Sequence, residues 1–117
     1  MKIAIIDKVG SKAGIDHYDN SLLRGLIAAG DECYLYSNFD CEEPHVKYKK
    51  YFHNVGVGKL KSIISSFTGF FISMIHARFT GVQWLIFHIF SPNSFDLITL
   101  LVARLLGFKV LTIVHDI

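Results

Sequence analysis

Short apolar runs alternate with amphipathic stretches along the whole of this 117-residue sequence. Most of the runs show little alternation of apolar and polar residues, which is typical of strands buried on both faces of a sheet. The runs that predict such strands are 2–7, 33–37, 84–90 and 109–115. A further run, 46–52, alternates in part, and we predict that it forms a strand nearer an edge of the sheet.

The stretches between these runs show apolar residues at helical spacing. The first predicted helix spans 15–29, with Gly30 at the C-cap, and its apolar positions are Ile15, Tyr18, Leu22, Leu26 and Ala29. A second helix is predicted over 59–79. A third follows Ser91-Pro92, an N-cap with proline at the first helical position, and ends at Gly107.

The predicted helix over 59–79 is unusual because neither of its faces carries much charge. Its apolar stripe consists of Leu60, Ile63, Ile64, Phe67, Phe71, Met74 and Ile75. Its other face carries Ser62, Ser65, Ser66, Gly69 and Ser73. Such a helix indicates a surface that a membrane, a partner or another domain covers.

The order of the predicted elements is strand, helix, strand, strand, helix, strand, helix, strand. Non-alternating strands separated by helices predict an α/β fold: a Rossmann-like, doubly wound parallel sheet of about five strands. The first and fourth strands then flank the switch point, where ligands bind beyond the carboxyl ends of the strands. This directs attention to residues 8–17, 88–94 and 115–117.

Composition narrows the class of protein. Hydrophobic residues make up 51% of the chain and charged residues 19%, which excludes a disordered tail. The net charge of +2 is too balanced for a protein that binds nucleic acid electrostatically. Cys33 and Cys41 have no neighbours at zinc-ligand spacing and indicate reduced thiols in a cytoplasmic protein. The uncharged stretch 62–76 is shorter than the roughly 20 residues that span a bilayer.

Candidate binding residues follow the first predicted strand. The loop there contains Gly10 and Gly14, whose backbone could approach a phosphate at the start of the helix, although a plain turn is an equal alternative. The spacing is not that of a dinucleotide fingerprint. His17 and Tyr18 fall on the first turn of the helix, beside the cleft; the alternative is an exposed histidine and a tyrosine at the margin of the core.

Two further histidines belong to strands. His115-Asp116 ends the last predicted strand, where a histidine can act as a donor, an acceptor or an acid–base group. An ordinary histidine at a strand end is the alternative. His88 lies inside the run WLIFHIF, and we interpret it as a core histidine with a hydrogen-bond partner. The sequence around Gly58-Lys59 lacks the spacing and the hydroxyl residue of a P-loop, so we reject that interpretation.

Lysines interleave with aromatic residues ahead of the second predicted helix. They are Lys47, Lys49, Lys50, Lys59 and Lys61, with Tyr48, Tyr51 and Phe52. Basic and aromatic residues beside an apolar stripe suit an anionic membrane surface, which 47–79 would contact. The alternative is an edge strand that its lysines protect from pairing.

The run MKIAIID…AGIDHYDNSLLRGLIAAGDECYLYS, followed by KVLTIVHDI, resembles the N-terminal domain of glycosyltransferase family 4. The resemblance spans nearly the whole chain, and 40–80 is its least diagnostic part. Members of that family are retaining enzymes of the GT-B fold. The resemblance implies that 1–117 is the N-terminal, acceptor-side half of such a fold.

The matched motifs carry implied roles. Ala13-Gly14 stands where the family more often has Gly-Gly, and the Gly14 backbone would approach the donor diphosphate. His17-Tyr18 matches the family's His-Tyr, which would bind substrate beside the sugar or acceptor. His115-Asp116 matches a strand-end motif, and His115 would line the catalytic centre between two domains.

The resemblance also implies an activity. The enzyme would transfer a hexose from a nucleotide sugar to a glycan or lipid-linked acceptor in cell-envelope polysaccharide synthesis. It would work in the cytoplasm, at the inner face of the membrane, without metal or other cofactor. The C-terminal domain that binds the nucleotide sugar, with its paired glutamates, has no counterpart here. We therefore expect the chain alone to be inactive.

Two alternatives come from other classes of protein. One is a non-catalytic Rossmann-like module that exposes an apolar face to a partner chain. The other is a nicotinamide-dependent enzyme, which is disfavoured because Ser37-Asn38 replaces the acidic residue that would close the second strand.

Overall fold

The computed structural model of the chain describes residues 1–7, 15–38, 45–52, 59–89 and 94–114. Its strands are β1 (Lys2–Ile6), β2 (Glu32–Tyr36), β3 (Lys47–Lys49), β4 (Trp84–Ile89) and β5 (Lys109–Val114). Its helices are α1 (Ile15–Ala28), α2 (Lys59–Phe79) and α3 (Ser94–Leu105). The sequence therefore predicted the type and order of the described elements correctly.

The five strands form one parallel sheet in the order β3-β2-β1-β4-β5. β1 lies at the centre, with Ile3 opposite Cys33 of β2 on one side and Trp84 of β4 on the other. This confirms the predicted α/β, Rossmann-like sheet. The switch point falls between β1 and β4, as expected, because the chain adds strands on one side of β1 and then crosses to the other.

Each helix ends in the same type of corner. Gly30, Gly81 and Gly107 follow α1, α2 and α3 with positive φ angles of 94°, 84° and 90°. After α1, the Gly30 N–H donates to Ile27 and the Asp31 N–H donates to Leu26, which is the hydrogen-bond pattern of a Schellman motif. A positive φ is unfavourable for residues with a Cβ, so glycine lets the chain turn directly into the next strand. Gly30 and Gly107 were predicted as helix ends.

The two faces of the sheet carry different cores. α1 covers one face, where its Leu23 packs against aliphatic residues of the sheet: Ile3, Ile5, Leu35 and Ile86, with Cys33. α2 and α3 cover the other face, where the core is rich in aromatic residues: Tyr34, Tyr36, Phe52, Phe70, Phe87 and Phe108. We refer to these two sides of the sheet as the α1 face and the α2/α3 face.

α2 packs on the sheet through its small-residue side. Gly69, Phe70, Ser73, Met74 and Ala77 are buried. Most of the apolar stripe that the spacing identified is instead exposed: Leu60, Ile63, Ile64, Phe71 and Ile75 are 43–71% accessible. Gly69 allows this arrangement, since a Cβ there would come within 2.6 Å of the Phe52 ring.

Three sequence predictions need correction. β5 was predicted to be buried, but it is an edge strand of the described sheet, with Leu111 50% and Val114 66% exposed. β3 has three residues, not the seven of 46–52. The apolar stripe of α1 is displaced by one position: Tyr18 is 44% exposed, whereas Leu23 is fully buried.

Candidate functional site

Buried polar side chains meet at the carboxyl ends of β1 and β4. Asp7 directly follows β1, and His88 is the next-to-last residue of β4. Asp19 lies on α1, one turn into the helix, and its side chain faces the sheet. Asp7 and Asp19 are 2% and 0% exposed. The α1 face thus has a polar end at the switch point, where doubly wound sheets bind ligands.

Asp19 and His88 form a direct pair. The His88 Nε2 and Asp19 Oδ1 atoms are 2.6 Å apart, and the two side chains are 1% and 0% exposed. A hydrogen bond away from water is strong, and loss of either partner is correspondingly expensive. The sequence-based interpretation of His88 as a core histidine with a partner is confirmed. The pair also explains why the Asp19 carboxylate, and not the predicted apolar residue Tyr18, faces the sheet.

The same cluster has the residue types of a metal site. One ligand atom from each of Asp7, Asp19 and His88 lies within 4.8 Å of the others. Two ligands of one metal ion at about 2.1 Å each are usually about 3 Å or more apart. The 2.6 Å separation of His88 from Asp19 is shorter and places the histidine nitrogen in a hydrogen bond. The arrangement therefore suits a hydrogen-bonded pair better than a metal centre.

His17 and Tyr18 occupy the first turn of α1, as predicted, and both are exposed. The Tyr18 ring contacts the His88 ring edge to face, with centroids 5.5 Å apart. Tyr18 therefore lies over the buried pair, with 44% of its surface accessible at the switch point. The roles of His17 and Tyr18 in binding substrate remain predictions.

β2 also ends in buried polar residues. Ser37 and Asn38 are 0% and 5% exposed. The Asp7 N–H donates to the Tyr36 carbonyl at 2.9 Å, which continues the β1–β2 pairing to the carboxyl edge. Polar residues thus follow neighbouring strands at one edge of the sheet. Sequence reasoning noted Asp7 and Ser37-Asn38 only as the ends of strands.

Several predicted site residues lie outside the described part of the chain. They are Gly10, Ala13, Gly14, His115 and Asp116, together with Cys41. The rejected P-loop-like sequence around Gly58 lies there too. β5 ends at Val114, the residue directly before His115 in the sequence. Val114 is opposite Ile89 of β4, at the carboxyl edge of the sheet.

Cys33 does not have the environment of a nucleophile. It is a free, fully buried thiol in the floor of the α1 face. Burial, followed by the nearby charge of Asp31, raises the pKa of its thiol to about 11. A thiol with that pKa holds almost no thiolate near neutral pH, so Cys33 acts as a small core residue.

Apolar side chains are exposed on the outer sides of α2 and α3. Beyond the stripe of α2, they include Ile72, Phe79, Leu97, Ile98, Leu101 and Leu105. Within the described residues, neither helix is long and apolar enough to cross a bilayer. α2 contains no acidic residue and carries basic residues near both ends, Lys59 and Lys61 at the start and Arg78 in the last turn.

Comparison with known proteins finds similar solved structures but no matching family. No family model matches the sequence, and no curated protein matches it. A crystal structure of UDP-galactose 4-epimerase is similar, with a TM-score of 0.42 and 21% sequence identity. The aligned part covers 78% of this chain and 38% of that chain.

Proposed function

We propose that this chain is the acceptor-side, N-terminal part of a retaining glycosyltransferase of the GT-B fold. The reaction would transfer a hexose from a nucleotide sugar to a glycan or lipid-linked acceptor in cell-envelope polysaccharide synthesis. In this proposal the Gly14 backbone contacts the donor diphosphate and His17 and Tyr18 contact the sugar or acceptor. His115 and Asp116 line the catalytic centre, and no metal or other cofactor takes part.

The observation that carries this proposal is the position of Tyr18. It is exposed on the first turn of α1, at the switch point, with its ring against His88 of β4. Substrates of doubly wound enzymes bind at this edge. The His17-Tyr18 motif, which carries part of the resemblance to glycosyltransferase family 4, therefore lies where the proposed function requires it.

Asp19 and His88 would position this motif without contacting substrate. Their hydrogen bond connects the turn that follows Tyr18 to β4 and spans 69 residues of sequence. A fixed first turn keeps the exposed side chains of His17 and Tyr18 in one orientation, which preorganises a binding site.

We propose further that α2 rests on the cytoplasmic face of the membrane. Its exposed residues include Ile64, Phe71 and Ile75, and the helix carries basic but no acidic residues. Apolar side chains inserted among headgroups and basic residues beside anionic lipids would together hold the chain at the surface. The exposed apolar side of α3 lies on the same face of the sheet and would extend this contact.

The catalytic proposal is tested by assaying sugar transfer from radiolabelled nucleotide hexoses to lipid-linked acceptors. We expect no transfer by the 117-residue chain alone. We expect transfer when the chain is joined to a nucleotide-sugar-binding domain encoded after Ile117 in the gene. In that protein His115→Ala should lower kcat by about a hundredfold or more, whereas Lys109→Ala, at the other end of β5, should not. A stop codon directly after Ile117, or transfer unaffected by His115→Ala, contradicts the proposal.

The membrane proposal is tested separately by flotation with lipid vesicles. We expect the chain to float with vesicles that contain phosphatidylglycerol and less with pure phosphatidylcholine. Ile64→Glu should reduce flotation, because it places a negative charge in the exposed stripe. Ser21→Glu is the matched control, because it adds the same charge at an exposed position of α1, on the opposite side of the sheet. Equal flotation of both variants and the unmodified chain would refute the membrane contact.

A further inference from the structure

A groove on the α2/α3 face runs between β3 and the last turns of α2. It has a volume of about 380 Å³ and is lined by Tyr34, Lys47, Tyr48, Lys49, His76 and Thr80. This volume lies within the range of small-molecule sites in proteins. The sheet separates the groove from the Asp19–His88 pair, which lies on the α1 face. The groove is therefore separate from the site of the proposed glycosyltransferase function.

The two lysines of β3 differ in their surroundings. Lys47 pairs with Glu32, hydrogen-bonds to the Tyr34 hydroxyl and lies over the Tyr34 ring. Lys49 has no acidic partner among the described residues. In register, Lys49 is opposite Tyr36, so its side chain shares the α2/α3 face with that tyrosine. The groove thus contains Lys47, whose charge the Glu32 carboxylate neutralises, and Lys49, whose positive charge is available to a ligand.

His76 contributes a neutral hydrogen-bond donor to the same groove. The Tyr36 hydroxyl lies 2.7 Å from His76 Nδ1. Burial raises the pKa of Tyr36, so its hydroxyl keeps its proton and is able to donate to Nδ1. When Tyr36 donates in this way, neutral His76 carries its ring proton on Nε2, for which the described residues provide no acceptor.

The surroundings of His76 disfavour a positive charge on its ring. The Tyr36 and Tyr51 rings pack edge to face against it, with centroids 5.6 and 6.0 Å away. Burial, and then the charge of Lys49, lower the pKa of the imidazole below its ordinary value. Lys49 on β3 is the charged group that opposes protonation, and Tyr36 and Tyr51 are the titratable groups that pack against the ring. An anion between Lys49 and His76 would remove this repulsion.

We propose that the groove binds a phosphate group, with Lys49 Nζ and His76 Nε2 as its two donors. Lysine supplies the charge and the imidazole a directed N–H, a combination that suits a tetrahedral oxyanion. Tyr34 lines another part of the groove, where its ring can contact the organic part of a phosphorylated ligand. The phosphate could belong to a small phosphorylated molecule or to a lipid headgroup.

The first test uses the unmodified chain and follows the ring signals of His76 by NMR during titration with inorganic phosphate. Phosphate should raise the pKa of His76, because the bound anion stabilises the imidazolium. The His45 and His17 signals serve as internal controls, since neither residue lines the groove. The proposal is overturned if the pKa of His76 changes neither with inorganic phosphate nor with the lipid vesicles of the second test.

The second test compares variants and distinguishes the two sources of phosphate. Lys49→Ala should weaken binding of inorganic phosphate by about fivefold to tenfold. Lys109→Ala removes the same charge outside both the groove and α2, and should change binding less than twofold. A response to phosphatidylglycerol vesicles alone, lost in Lys49→Ala and kept in Lys109→Ala, would identify a lipid headgroup as the ligand. Equal losses in the two variants would show only general attraction of anions and contradict the site.

Discussion

The two faces of the sheet differ in what they bury. The α1 face buries a carboxylate–imidazole pair at its carboxyl end, over an aliphatic floor. The α2/α3 face buries aromatic rings, and the helices that cover it expose apolar side chains on their outer sides. Helices on the same sheet can therefore serve different purposes. α1 carries candidate chemistry, whereas α2 and α3 present a surface for contact.

The difference has a physical basis in how each helix approaches the sheet. The inward-facing Asp19 carboxylate is within hydrogen-bond distance of His88. α2 approaches the sheet through Gly69, which is small enough to admit the Phe52 ring, and through the buried Ser73. On the α1 face the contact between helix and sheet is a polar hydrogen bond, and on the α2/α3 face it is close packing against a ring.

We expect the largest loss of stability when the Asp19–His88 hydrogen bond is removed. Asp19→Ala should lower the free energy of unfolding by about 3 kcal/mol, because the buried His88 loses its hydrogen-bond partner. Urea denaturation of Asp19→Ala, His88→Ala and the double variant gives the coupling energy, which we expect to be about 1–3 kcal/mol.

Asp31→Ala is the matched control for this comparison. Asp31 forms an ion pair with the N-terminal amine at 3.6 Å near the surface. Its loss should change the free energy of unfolding by about 1 kcal/mol or less. If Asp19→Ala is no more destabilising than Asp31→Ala, or if the double-mutant cycle shows no coupling, the pair does not organise the α1 face.

We expect a smaller loss of stability when the close packing of Gly69 against the Phe52 ring is disturbed. Gly69→Ala should destabilise the fold by about 1–2 kcal/mol, since the new methyl group must displace the 3%-exposed Phe52 ring. Gly25→Ala on α1 is the control, because no described atom lies within 4 Å of a Cβ built there. It should stabilise the chain by up to about 1 kcal/mol through helix propensity. Thermal unfolding of both variants should shift in opposite directions, and equal shifts would contradict the close packing of α2.

The smallest effect concerns pH dependence on the α2/α3 face. His76 has a pKa below its ordinary value of 6.5 in the folded state, so the unfolded chain binds more protons between the two pKa values. The contribution of His76 to the free energy of unfolding should therefore be fully present above pH 6.5, decrease as the pH falls through this window, and then stay constant. The loss should be reduced in His76→Gln. Urea midpoints measured across this range test the prediction, and an unchanged pH profile in the variant would refute it.

Much of the fold followed from local patterns in the sequence. Buried, non-alternating strands separated by helices were sufficient to predict a parallel sheet and its switch point. Gly30 and Gly107 marked helix ends because a positive φ excludes most other residues. The exposure of β5 was not predictable in this way. An apolar strand has the same pattern whether or not a neighbour covers its outer edge.

The candidate site was predicted only in part. The positions of His17 and Tyr18 follow from the start of α1, which the helical spacing defined. The contact between Asp19 and His88 joins distant residues, and spacing along the chain contains no such information. Two signals were nevertheless present: a histidine inside the apolar run of β4, and an aspartate four residues before Leu23 on the buried side of α1. Two polar residues at buried positions indicate that they pair with each other.

The central place of β1 has a consequence for the order in which the molecule assembles. β1 is synthesised before the other described strands, and its partner β2 follows within about one helix length, so β1, α1 and β2 can associate before β4 is available. The other side of β1 stays open until Trp84–Ile89 has been synthesised. The Asp19–His88 hydrogen bond closes only when β4 docks beside β1. Formation of the buried pair therefore reports that both halves of the sheet have joined.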